Sequence, residues 1–213
     1  MSDFIERPAS KLSLSKRKPL KGGAINDADY CTTHRTKGTP MTRCPYYLVW
    51  VNMIKRCYSP ISHKHRPHYK DCSVCDEWLL FSTFKQWMER QDWKGKHLDK
   101  DILVLGNKVY SPETCRFVSL QVNCIFGDRK VSRGKYPQGV SLDKLREHTT
   151  GKCFLSRCST AGKHKNLGYF YTAREASQAY IKYKADYIRR VADTLPVDLK
   201  QGLYRHADAL LLP

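Results

Sequence analysis

LDKDILVLGNKVYSPETCRFVSLQVN, residues 98–123, decides the fold. Leu98–Leu105 reads as a strand and Gly106-Asn107-Lys108 as its turn. Arg116–Val118 reads as a second short strand. Ser119 is the predicted N-cap of a helix running from Leu120 to about Phe126. The order is strand, loop, strand, helix. Side chains alternate along a strand, so Asp99 and Asp101 share one face and Lys100 takes the other. Carboxylates two positions apart lie ~7 Å from each other, a spacing that suits a hard cation such as Mg²⁺ held through oxygens and water. Asn123, in the first turn of the helix, offers a carboxamide oxygen to the same ion. Such an ion polarises a phosphodiester and stabilises its leaving oxygen.

The composition says what those carboxylates would meet. The chain has 213 residues, with 38 Lys+Arg against 20 Asp+Glu and a net charge of +18. The basic residues occur in every segment, and the plainest polyanion partner is nucleic acid. Paired carboxylates beside phosphate repel it unless a cation sits between. Hydrophobic residues make up 41% of the chain, enough for a real core. No stretch approaches the roughly 18 apolar residues of a membrane helix. The first twenty residues lack an apolar signal core, which predicts a cytoplasmic protein with no membrane partner.

Outward from the central stretch, residues 1–42 are polar and basic without apolar periodicity, and predict a flexible arm. Tyr46–Tyr58 predicts a buried helix. Residues 59–75 predict an irregular loop containing His63, His65 and His68. Glu77–Gln91 predicts a second helix, with Leu80, Phe84, Trp87 and Met88 on one face. On the C-terminal side, residues 127–138 read as a basic linker that includes Arg129, Lys130, Arg133 and Lys135. GVSLD, KCFLSRCS and LGYFY then predict three short strands. Thr172 and Glu175 form a capping box for a helix to about residue 192, with Ala176, Tyr180, Tyr183, Tyr187 and Val191 on one face. Residues 194–213 are a tail that adds a short helix.

Nine cysteines without a secretion signal point to packing or metal rather than disulfides. Cys72-x-x-Cys75 has zinc-ligand spacing, and Cys57 and Cys115 could complete a four-thiolate site. His63, His65 and His68 compete as ligands. Ordinary buried thiols remain the alternative.

Two resemblances arise from these residues. The series VWVNMIKRCY, VCDEW, FSTFKQWM, LDKDIL, YSPETC and the final asparagine resembles the ββα-metal finger of HNH (His-Me finger) endonucleases of phage and homing type, over roughly residues 46–126. Arg116–Ser119 match strand two of that finger, and Asn123 matches its helix ligand. Asp101, or Lys100 under a different loop gap, stands where the family carries its general-base histidine. Thr114 stands where it carries its middle asparagine. A metal-bound carboxylate is a weaker base than imidazole. The replacements are Asp99 or Asp101 as base, His97 swinging in, or Lys100 stabilising the phosphorane charge. The C-terminal strands and helix resemble an APETALA2-type DNA-binding domain, three antiparallel strands on one helix with the sheet in the major groove. Its marks here are Gly139-Val140, Arg157, Leu167-Gly168-Tyr169-Phe170 and Ala176, Ala179 and Tyr180. On strand two, Lys152, Phe154, Ser156 and Cys158 share one face, and Cys153, Leu155 and Arg157 the other. Lys163, Lys165 and Arg146 are the phosphate contacts implied.

The prediction is therefore an α+β protein: an arm (1–42), an HNH-like ββα-metal domain (43–126), a linker (127–138), an APETALA2-like domain (139–193) and a tail (194–213). The implied function is a divalent-cation-dependent endonuclease on double-stranded DNA, monomeric or dimeric. Asp99, Asp101 and Asn123 hold Mg²⁺ or Mn²⁺, and Lys100 assists. Arg116, Arg157, Lys152 and the linker cations touch DNA. One competing class is a DNA-binding protein that does not cut. Another, an RNA-binding accessory factor, fits the charge but has no recognisable aromatic platform.

Overall fold

The computed structural model describes residues 4–35, 38, 40–125, 135–147, 149, 151–160 and 162–212. They form an α+β protein divided into two compact units. The first contains the chain up to Asp101 together with Gly106–Phe117. The second contains Ile102–Leu105 and the chain from Val118 onward.

The first unit takes in most of the segment that composition reads as a free arm. Ala24, Ala28 and Tyr30 are buried in its core, and Phe4 packs against it. Polar side chains do the fastening. The Ser10 hydroxyl caps helix α1 (Lys11–Ser15) by accepting from Ser13 N. The Arg17 guanidinium donates to the carbonyls of Asn26, Ala28 and Tyr30. Asp27 accepts from Ser82 N at 2.8 Å. Such a segment shows no apolar period because hydrogen bonds and small alanines hold it, not an amphipathic face. Strands β1 (Thr33–His34) and β2 (Thr42–Arg43) pair antiparallel.

Helix α2 (Pro45–Tyr58) begins with proline, whose missing N–H costs nothing in the first turn. It buries Trp50, Met53, Ile54 and Cys57, spaced for one face. The predicted irregular loop contains α3 (Pro60–His65) and β3 (Ser73–Val74). The single helix predicted over 77–91 is two pieces. A 3₁₀ turn covers Asp76–Leu79, Leu80 is extended, and α4 (Phe81–Glu89) then buries Phe81, Phe84 and Met88. After it come β4 (His97–Asp99), β5 (Val109–Tyr110) and β6 (Arg116–Val118). Strand β3 pairs in parallel with β5, and β4 pairs with β6.

The second unit opens with α5 (Leu120–Asn123), where the Ser119 hydroxyl accepts from Val122 N at 3.3 Å, the predicted cap. Next come β7 (Val140–Leu142), α6 (Lys144–Glu147), β8 (Phe154–Thr160), β9 (Lys163–Phe170), α7 (Ala173–Ala192) and α8 (Val197–Leu211). Strands β7, β8 and β9 form an antiparallel sheet in that order, packed on α7. The Thr172–Glu175 capping box starts α7 as predicted. Gly139, at φ 78°, sits against the Tyr180 ring, where a Cβ would stand 2.1 Å from it.

The predicted strand over 98–105 is corrected. It stops at Asp99, and Ile102 and Leu103 are buried in the core built from α7 and α8. Gly202 of α8 makes this crossing possible, because a Cβ there would lie 2.3 Å from the Ile102 carbonyl oxygen. Arg205 donates to the Leu103 carbonyl at 2.6 Å. A run of four apolar residues fits a strand or a packed bend equally well, and α8 decides for the bend. Among the described residues no helix is long and apolar enough to cross a membrane.

Candidate functional site

The carboxylate turn lies at the end of β4. Asp99 folds its carboxylate back, and Oδ1 accepts from Asp101 N at 3.0 Å. Lys100 points inward and is 6% exposed. Its Nζ donates to Asp101 Oδ2 and to the Asn107 carbonyl, each at 3.0 Å. Burial works against the Lys100 charge, but the Asp101 carboxylate outweighs it and the pKa is raised. Asn107 closes the other side of the turn: its Nδ2 donates to the carbonyls of Lys100 at 2.6 Å and Val109 at 2.7 Å. The ammonium is therefore occupied, and the turn is a built, hydrogen-bonded structure with two aspartates on it.

His68 is the residue sequence reasoning placed in another role. It stands in the electrostatic field of Lys100, Lys108 and Asp101, beside Tyr69 at 4.3 Å between ring centroids. Partial burial and the cations Lys100, Lys108 and Arg66 lower its pKa, so the neutral imidazole dominates at neutral pH. Arg56 lies over the Tyr69 ring at 5.7 Å, and Lys100 over the Tyr110 ring at 5.9 Å. The only sequence signal for His68 is its place in a histidine-rich loop; the link to the turn comes from the pairing of β3 with β5. His97 is the exposed first residue of β4. Asn123 ends α5 in the second unit.

The four candidate zinc cysteines separate into two pairs, Cys57 beside Cys72 and Cys75 beside Cys115. Burial pushes the Cys57 and Cys115 thiols up to about 12 and Cys75 up to about 11. Among the described residues no three His, Cys, Asp or Glu side chains are grouped to hold a metal ion. For a hard cation such as Mg²⁺ the turn offers two carboxylates, Asp99 and Asp101, with one oxygen of each already engaged by Asp101 N and by the Lys100 ammonium.

The cations predicted to touch DNA have different fates. Arg116 Nη1 donates to the carbonyls of Pro112 and Cys115 at 3.2 and 2.8 Å, which fixes the Ser-Pro turn. Arg129, Lys130 and Arg133 lie outside the described residues. Lys135 is exposed over the Tyr136 ring. On β8, Phe154, Ser156 and Cys158 alternate with Leu155, Arg157 and Ser159, and Cys158 senses Lys184 of α7. The Arg157 face is thus the one turned from α7, and it carries the cross-strand partners Tyr169, Asn166 and His164. Arg157 Nε donates to Asn166 Oδ1 at 2.9 Å. Arg146 stacks over Tyr169 at 4.0 Å. Lys152 precedes the strand and stands over Tyr171 at 5.1 Å. Lys163 and Lys165 are exposed on β9.

Comparison with protein families, with curated proteins and with solved structures finds no match for this chain.

Proposed function

We propose that this protein is a divalent-cation-dependent DNA endonuclease whose second unit docks on the duplex through the Arg157 face of its sheet. The observation that carries the nuclease reading is the carboxylate turn: Asp99 and Asp101 are held together by the Asp101 N–H···Asp99 bond, with Asn107 and Lys100 fixing the loop around them. The turn is the feature that supports the resemblance to the ββα-metal finger. It rests on first-unit residues, and a role for Asn123 is part of the proposal only through sequence order.

In this reading Asp99 and Asp101 would hold the ion. When bound, it neutralises phosphate charge and polarises the scissile P–O bond. The chain's own groups do the rest. His68 accepts the proton of the attacking water, in place of the histidine missing from the strand. Lys108 and Arg56 offer positive charge to the phosphate. Lys100 holds the Asp101 rotamer. In the second unit, Arg146 and Arg157 are presented by stacking and by a hydrogen bond to Asn166, which reduces the entropy lost on binding. The exposed Lys163 and Lys165 supply salt-dependent affinity.

A second reading, a DNA-binding protein that does not cut, is favoured by one observation: the Lys100 ammonium already neutralises Asp101. A plasmid-relaxation assay separates the two. Supercoiled DNA is incubated with the parent, with Asp101→Ala and with His68→Ala, in Mg²⁺, Mn²⁺ or EDTA. The nuclease reading expects metal-dependent nicking that Asp101→Ala abolishes and His68→Ala slows by about 100-fold. DNA binding by all three proteins without nicking under any condition gives the second reading.

A further inference from the structure

The first unit contains a pocket of about 380 Å³ that the carboxylate turn does not use. Three elements build it. Helix α4 contributes Thr83, Gln86, Trp87 and Arg90, the i, i+3, i+4, i+7 face left over once Phe81, Phe84 and Met88 are buried. The 3₁₀ turn contributes Glu77 and Trp78, and the Ser-Pro turn Pro112 and Glu113. The Trp87 ring is braced by Trp78 at 4.5 Å and by Phe117 at 5.7 Å, so it is a rigid wall. Trp78 is fully buried, and its indole Nε1 finds no hydrogen-bond partner among the described residues.

The lining selects the ligand by elimination. Arg90 opposes a cation, which the aromatic wall would otherwise suit. Glu77 and Glu113 oppose a phosphate. A flat apolar body with adjacent donors on one edge and adjacent acceptors on another suits the Trp87 ring, the Arg90 guanidinium and the two carboxylates of the lining. Carboxylates only accept and guanidinium only donates. Guanine is the base with two neighbouring donors, N1–H and the N2 amino group, and two neighbouring acceptors, O6 and N7. Adenine and cytosine turn a lone pair toward a carboxylate placed that way. The Ser111 hydroxyl, by hydrogen bonding, holds the Glu113 carboxyl below its usual range, so it remains an acceptor at working pH.

From this arrangement we infer that the pocket of Trp87, Arg90, Glu77 and Glu113 binds a single unstacked guanine base. Trp87 offers the stacking surface, Arg90 donates to O6 and N7, and a carboxylate accepts from N1–H and the N2 amino group. The site goes beyond the nuclease reading and stands or falls without any cleavage measurement.

Guanosine, adenosine and cytidine are the probes, because a neutral nucleoside avoids attraction of phosphate to the basic surface. Each is titrated into the full chain while tryptophan fluorescence is followed. The expected result is saturable quenching by guanosine, with the other two at least about 10-fold weaker. Glu113→Gln and Arg90→Leu, both on the exposed rim, each weaken guanosine by about 10-fold and leave the thermal melt unchanged. Equal quenching by all three nucleosides, or guanosine binding untouched in both variants, overturns the assignment. Preferential binding of trimethyllysine overturns it in favour of a cation site.

Discussion

Among the described residues each unit buries one lysine, and the two are treated in opposite ways. Lys100 in the first unit is 6% exposed and has two hydrogen-bond partners; its pKa is raised. Lys184 in the second is 9% exposed and makes no hydrogen bond or ion pair among the described residues. Its neighbours are the Tyr187 ring at 5.9 Å and the Cys158 thiol, and burial lowers its pKa. The first unit uses buried charge to build a turn. The second tolerates a buried charge beneath its sheet, on the face opposite Arg157. Polar burial in the first unit is thus organised around the carboxylate turn, whereas in the second it is a stability cost on the sheet face opposite Arg157.

The largest expected effect tests the mechanical link that lets Ile102 and Leu103 join the second core. Gly202→Ala adds a methyl 2.3 Å from the Ile102 carbonyl oxygen, and backbone on both sides must move. Overpacking of this kind costs about 3 kcal/mol, at the upper end for one added carbon, and outweighs the helix propensity gained. Chemical denaturation should show this loss. A variant as stable as the parent would mean that 102–105 is not clasped by α8.

Next in size is Lys100→Met. The side chain is isosteric enough to fill the space, but the Asn107 carbonyl loses its donor and Asp101 its partner. The expected loss is about 2 kcal/mol. It should come with loosened hydrogen-exchange protection at Asp101 and Val109, whose amides donate to Asp99 and Asn107 in the turn. If stability holds while nicking rises, Lys100 restrains the site instead of organising it, and the contrast between the lysines dissolves.

These features were unequally legible in the sequence. Capping residues act over three positions and were read correctly at Ser119 and at Thr172–Glu175, because local hydrogen bonds decide them. The β8 face assignment held from Phe154 onward, since alternation survives the irregularity at Ser156/Arg157 in the pairing with β9, whereas Lys152 and Cys153 precede the strand. The N-terminal segment was not legible, because Arg17 binds three carbonyls that no spacing rule anticipates. The end of β4 was not legible either: Asp101 and Ile102 are neighbours in sequence and belong to different units. At the candidate site, Asp99 and Asp101 were singled out by residue type, but the strand spacing expected of them did not hold, since β4 ends at Asp99 and Asp101 lies in the turn. His68 became interesting only once parallel pairing of β3 with β5 set its loop beside the turn.

Lys184→Met reverses the sign of Lys100→Met. Removing an unpartnered buried ammonium should stabilise the second unit by about 1 kcal/mol at neutral pH. The pH dependence separates the lysines further. The folded pKa of Lys184 is below its unfolded value, so its penalty is fully present at neutral pH and is relieved as pH rises toward 10.5. The folded pKa of Lys100 is above that value, so its contribution is intact below 10.5 and is lost above it. The parent-minus-variant stability difference should therefore rise with pH for Lys184→Met between neutrality and 10.5. For Lys100→Met it should stay flat there and fall beyond. Parallel slopes would show that both ammonium groups are equally solvated.

The smallest effect probes the same buried layer with no charge involved. Ser156 is fully buried on the β8 face toward α7, and its hydroxyl finds no partner among the described residues. An unsatisfied buried hydroxyl is a net cost, and its removal leaves a void of only one oxygen. Ser156→Ala should therefore be neutral to about 1 kcal/mol stabilising by thermal or chemical denaturation. DNA affinity should not change, because Arg157 and Asn166 lie on the opposite face. A clear loss of stability would mean that the hydroxyl has a partner, most simply a buried water shared with the Lys184 ammonium. In that event the second unit, like the first, satisfies its buried lysine, and the difference between them is one of solvent rather than of design.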